Sequence, residues 1–145
     1  MSAIGYLLTL FLVIAAFLNF DNTSHAEMLR QAEVSAVVGN MMVYRNYVSA
    51  YAQANPTFEG NVPDAVLGMP SWYKKQPNMG GYLAGGKSYI FNTVVLPGLV
   101  AALVKKSKSI SVGTNTGGFL LSPMAGNTNI PLPIQIPLSA VVIIQ

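Results

Sequence analysis

The chain has no cysteine and a single histidine, His25. The first absence excludes a disulfide framework and any thiolate metal site. The second leaves a histidine-based metal site or a Ser/His relay resting on one residue. Charge is also scarce: 9% of the 145 residues are charged, against roughly 25% in ordinary soluble domains. Acidic side chains stop at Asp64. Up to that point Asp21, Glu27, Glu33, Glu59 and Asp64 outweigh Arg30 and Arg45; beyond it Lys74, Lys75, Lys87, Lys105, Lys106 and Lys108 stand without a carboxylate. The five carboxylates include no pair at a spacing suited to acid–base work. No catalytic, metal or cofactor site is therefore expected, and the chain reads as non-enzymatic, without a small-molecule substrate. The lysines lack the arginine and aromatic interleaving of a nucleic-acid surface. Lys105, Lys106 and Lys108 are expected to form a basic surface facing an anionic partner or solvent.

Hydrophobic residues are abundant, at 52%. Residues 4–20, IGYLLTLFLVIAAFLNF, carry no charge. At 1.5 Å per residue they reach roughly 25 Å, the short end of a membrane-spanning helix. The reading is a single-span anchor over 1–22, with Ile4, Leu8, Phe11, Ile14, Phe17 and Phe20 in the lipid, the N-terminus inside and the bulk of the chain outside. A signal peptide cleaved after Ala26 is the alternative, since Ser24 and Ala26 place small residues before the cut. No lysine or arginine precedes Ile4, however, and Ser24-His25-Ala26-Glu27 also fits a capping box opening a second helix.

That helix is expected over 23–54, ended by Asn55-Pro56. Val34, Val37, Met41, Tyr44, Val48 and Tyr51 are spaced 3, 4, 3, 4, 3, which puts them on one face. The stripe packs on the protein's own C-terminal domain or on a partner, which includes a second copy of the chain.

Residues 55–80 are rich in Pro, Gly and Asn and read as a linker, with Trp72, the one tryptophan, expected to be buried where the linker meets the domain. The domain over 81–145 is expected to be α+β, a small antiparallel sheet with one helix. Gly85-Gly86 suits a two-residue hairpin turn, and GLVAALVKK after Pro97 reads as a short amphipathic helix with lysines at its C-terminal end. A further turn is expected around residues 115–117, NTNIPLPIQIP reads as a loop or edge, and SAVVIIQ as a last strand. Gly81, Gly86, Lys87 and Ser88 match the phosphate-loop pattern G-x-x-x-x-G-K-S. A working loop of that kind precedes a helix and needs a later carboxylate for Mg²⁺. Here the β-branched and aromatic run SYIFNTVV follows, and no carboxylate does, so the match is read as false.

The apolar N-terminus, PSWY, SYIFNTVVLPGLVAAL, SISVGTNTGGFLLSP and IPLSAVVII together resemble the short PilM-type proteins encoded with thin, type IV conjugative pili. The resemblance spans nearly the whole chain through apolar, Gly and Pro spacing. It implies an inner-membrane component of a pilus assembly apparatus that works through contacts with other assembly proteins or with pilin. A pilin- or pseudopilin-like filament subunit is the alternative, as is a signal-cleaved soluble periplasmic accessory protein.

Overall fold

The computed structural model describes the backbone of residues 3–145 and the side chains of residues 10–16 and 25–145. The chain divides into two units, Met1–Glu33 and Val34–Gln145. A single helix, α1 (Ala3–Ala54), supplies residues to both.

In the first unit the helix runs through residue 24 without a break. The capping box expected there does not form as a helix start. The Glu27 carboxylate instead accepts bonds from Arg30 at 2.7 Å and from Gln31 at 3.0 Å, its neighbours one turn along the same helix. The membrane-spanning helix is a correction too. Among the described residues no helix is long and apolar enough to cross a membrane, and the single-pass inner-membrane placement built on it falls with it. Phe11 and Ile14 are exposed; Ile4, Leu8, Phe17 and Phe20 lie outside the residues whose side chains are described.

In the second unit α1 ends at Ala54, where the Asn55 side chain donates to the Tyr51 carbonyl at 3.0 Å and Pro56 forbids another turn. The chain then gives β1 (Gly60–Asn61), a 3-10 turn at Asp64–Val66, β2 (Met79–Ala84), β3 (Lys87–Asn92), α2 (Leu99–Ser107), β4 (Val112–Thr116), β5 (Phe119–Ser122), β6 (Gly126–Pro131) and β7 (Val141–Ile144). All seven strands join one antiparallel sheet in the order β1-β2-β3-β7-β4-β5-β6. The last strand is thus inserted at the centre, between β3 and β4, and α2 carries the chain across it.

Alternation along the central strands assigns the two faces. Ile90, Val112, Val141 and Ile143 meet α1 and α2 in the main core, with Val34, Val37, Met41, Tyr44 and Val48 from α1 and Leu99 and Leu103 from α2. Tyr89, Leu120 and Val142 face the other way and are covered by Leu132, Ile136 and Ala140. The proline-rich segment between β6 and β7 is therefore the lid of a second small core. Asn115, 3% exposed, ties that lid down. Its side-chain amide donates to the carbonyls of Ile136 at 2.9 Å and Pro137 at 3.2 Å, and its Oδ1 accepts from the Gly118 amide at 3.0 Å.

Both tight turns follow from glycine pairs. Gly85 and Gly86 have φ of 56° and 72°, and Gly117 and Gly118 have 61° and 86°. Positive φ at both central residues is what a two-residue hairpin turn needs to match strand twist. The α2 helix ends on Lys108, in the left-handed region at φ 52°, whose amide donates to the Val104 carbonyl at 2.7 Å.

Candidate functional site

The phosphate-loop match lies on the β2–β3 hairpin. Gly81 is buried in β2 against Tyr44 and Val48, Gly86 is in the turn, Lys87 is exposed, and Ser88 is buried in β3. The Ser88 hydroxyl lies 3.2 Å from that of Ser49, which donates to Gln145 Oε1 at 3.0 Å. Ser49, Gly86, Ser88 and Gln145, with Ala52, Gln53 and Pro56, line a hollow of about 250 Å³. Strand follows strand here, so no helix N-terminus offers its amides to a phosphate.

The helical stripe falls within the core. Val34, Val37, Met41, Tyr44 and Val48 are buried and Tyr51 is half-buried, stacked edge-on against Phe58 with ring centroids 5.4 Å apart. The stripe is thus spent on the sheet and α2, and the opposite, outward face of α1 presents Ser35, Ala36 and Gly39.

The segment 55–78 is pinned to α1 as a strap. The Tyr44 hydroxyl donates to Asp64 Oδ1 at 3.1 Å, and Lys75 Nζ pairs with the same carboxylate at 2.6 Å while lying 5.2 Å from the Tyr44 ring centroid. Burial first, and the Asp64 charge second, push the Tyr44 phenol above its ordinary pKa. Farther along, Tyr73 donates to Asn40 Oδ1 at 2.7 Å, and Asn40 Nδ2 donates to the Lys74 carbonyl at 2.8 Å. Burial, aided by the Asp64 charge, pushes the Tyr73 phenol up to about 12. The 70–73 turn, closed by the Tyr73 amide on the Pro70 carbonyl at 2.9 Å, sends Tyr73 inward and Trp72 outward. Trp72 is 72% exposed, against the expectation of burial. Proximity to the domain was legible in PSWY; which aromatic turns in was not, because that depends on the turn.

Lys105 and Lys106 are in the last turn of α2, with Lys108 as its cap, and all three are exposed. Two open grooves flank α1 at Gly39. One, of about 480 Å³, is lined by Ser35, Val38, Gly39, Ala102, Lys105 and Lys106. The other, of about 400 Å³, runs along Ala36, Gly39, Asn40 and Val43 to Trp72, Tyr73 and Lys74. The Lys105/Lys106 part of this surface carried a sequence signal. That Gly39, Trp72 and Lys74 join it did not, since they come together only through the strap.

Among the described residues no group of three or more His, Cys, Asp or Glu side chains is placed to hold a metal ion. The PilM family profile matches residues 9–144. Among solved structures, a protein of Pseudomonas aeruginosa 2192 described as a pilM protein is 36% identical, with a TM-score of 0.52 over 78% of this chain and 95% of its own. A PilM protein of Escherichia coli B7A aligns over 79% of this chain and 93% of its own with a TM-score of 0.61; at 23% identity that likeness speaks to the fold alone. No curated protein matches.

Proposed function

We propose a function from this premise: the chain belongs to the PilM family of pilus biogenesis proteins. Within pilus biogenesis it acts as a non-enzymatic component, through contacts with other assembly proteins or with pilin. The observation that carries this reading is the exposed surface of the unit Val34–Gln145. Trp72, Ile134 and Leu138 are 72%, 94% and 69% exposed on a unit whose charged side chains beyond Asp64 are all lysines. Aromatic and apolar side chains held out in water suit a partner surface, and Trp72 shares its groove with Lys74. That same stretch offers no carboxylate, histidine or cysteine for acid–base or nucleophilic work. The test is deletion of the gene with complementation. Cells lacking the protein are expected to make pilin but display no pili by electron microscopy, and normal piliation overturns the reading.

A filament subunit is the second reading. It is favoured by the unbroken helix α1, whose later residues pack on an antiparallel sheet. Immunogold labelling separates the two: an assembly component labels the cell envelope, a subunit labels along the filament.

A further inference from the structure

The stripe of α1 is consumed by the core, and the exposed face around Gly39 is not. We infer that this face is the docking site for an acidic amphipathic helix of a partner protein, an inference that rests on the reading of the chain as a contact-making pilus component.

Gly39 lines both grooves, and a Cβ added there would meet nothing within 4 Å. The ridge of α1 is thus lowest at the point where the two grooves adjoin. A helix crossing a helix needs an axial separation of about 8–10 Å, and a residue without a side chain at the crossing lets the backbones reach the near end of that range. Side chains one turn apart on the crossing helix would then straddle Gly39. One row would enter the groove floored by Val38 and Ala102, and the other the groove beside Val43.

The walls specify the charge of the visitor. The charged side chains lining the grooves are Lys105 and Lys106 on one side and Lys74 on the other, with no carboxylate in either lining. None of these three lysines forms a salt bridge among the described residues. Carboxylates on both flanks of the visiting helix would meet them, and a basic helix would be repelled. Trp72 stands on the Lys74 side, and an exposed tryptophan beside a groove is the residue type that most often dominates binding energy. Burial of Trp72 under a partner also accounts for an aromatic side chain that the fold itself leaves in solvent.

Trp72, being the sole tryptophan, reports on the site directly. The probe is a tryptophan-free, alanine-rich peptide of about 18 residues, long enough to be helical, with leucine on one face and glutamate along both flanks. Its control carries lysine in place of every glutamate. Titrated into the full chain, the acidic peptide is expected to shift Trp72 emission saturably. The Lys105→Glu/Lys106→Glu variant should raise Kd at least about tenfold. The arginine pair Lys105→Arg/Lys106→Arg should retain binding, and Gly39→Leu, which fills the crossing point, should abolish it. All these positions are exposed, and an unchanged thermal transition certifies each variant's fold. No saturable change up to about 1 mM peptide, equal binding of the lysine control, or indifference to the charge reversal overturns the inference. So does self-association of the chain that Gly39→Leu abolishes, which assigns the face to a second copy. In cells the two readings fail separately. Normal piliation by Gly39→Leu and by Lys105→Glu/Lys106→Glu, where the deletion strain is bald, removes the docking site and leaves the assembly role standing. Normal piliation of the deletion strain removes the role itself.

Discussion

At the scale of the residue, one substitution has opposite signs at two glycines. Gly113 lies in β4 so close to β5 that a Cβ would overlap the Leu121 carbonyl, which is backbone and cannot swing away. Gly113→Ala is expected to cost about 2 kcal/mol or more. Gly39→Ala, on open helical surface, is expected to stabilise by up to about 1 kcal/mol, because alanine loses less entropy in a helix. Urea midpoints of the two variants check both signs. The buried phenols give a pH prediction. Tyr44 and Tyr73 hold their protons more tightly in the folded protein than in the unfolded chain, where tyrosine titrates near about 10. Their contribution is therefore complete below about pH 10 and is lost as the pH rises beyond it, toward about 12 for Tyr73. These two phenols leave the melting temperature unchanged up to about pH 10 and lower it above that. Absorbance at the phenolate band should show late-titrating tyrosines in the folded protein only, and Tyr73→Phe should flatten part of the alkaline slope.

At the scale of the element, the periodic spacing of the stripe identifies the buried face of α1 correctly, because residues three and four apart share one side of a helix. Met41 is fully buried beneath the sheet and α2, and Met41→Ala is expected to cost about 3 kcal/mol through lost burial and the cavity left behind. The outward Ser35→Ala should stay within about 0.5 kcal/mol; thermal or urea unfolding of the pair measures the contrast. Gly85-Gly86 marked its hairpin and Pro97 with the lysines marked α2, because these signals are local: a backbone that must take positive φ, a ring that fixes φ, a dipole; the second turn falls on Gly117-Gly118, at the edge of the 115–117 expected. The Ser24-to-Glu27 pattern misled for the same reason. A capping box competes with simple continuation of the helix, and here Glu27 finds Arg30 and Gln31 instead. Strand β1 was not legible, and β6 was read only as a loop or edge, since GN and GNTNIP have little strand propensity and exist through pairing with β2 and β5, β6 lying at the sheet edge.

At the scale of the whole molecule, every side chain buried among the described residues lies at or beyond Val34. A chain shortened by residues 1–33 is accordingly expected to keep one cooperative unfolding transition, with the far-UV helical signal reduced by the part of α1 removed, since the unit Val34–Gln145 holds both cores. Loss of cooperativity would mean that the first unit contributes to that core. Processing after Ala26 would likewise remove no described core residue, and the intact mass of the purified protein reads it directly.

The sequence by itself determined the α+β class, the buried face of the second half of α1, the Gly85-Gly86 hairpin turn, the family and the scarcity of charge, histidine and cysteine. Periodicity, turn chemistry and composition act between near neighbours, so they can be read along a string. Only the tertiary structure decided that β7 enters the middle of the sheet, that the proline-rich segment closes a second core, and that Trp72 faces outward beside Gly39 and a lysine. It also shows, among the described residues, no helix long and apolar enough to cross a membrane. These outcomes depend on which distant segments lie against each other. Pairing of β7 with both β3 and β4 satisfies its backbone groups and buries its two apolar faces at once, a solution set by the whole chain and written in no single stretch of it.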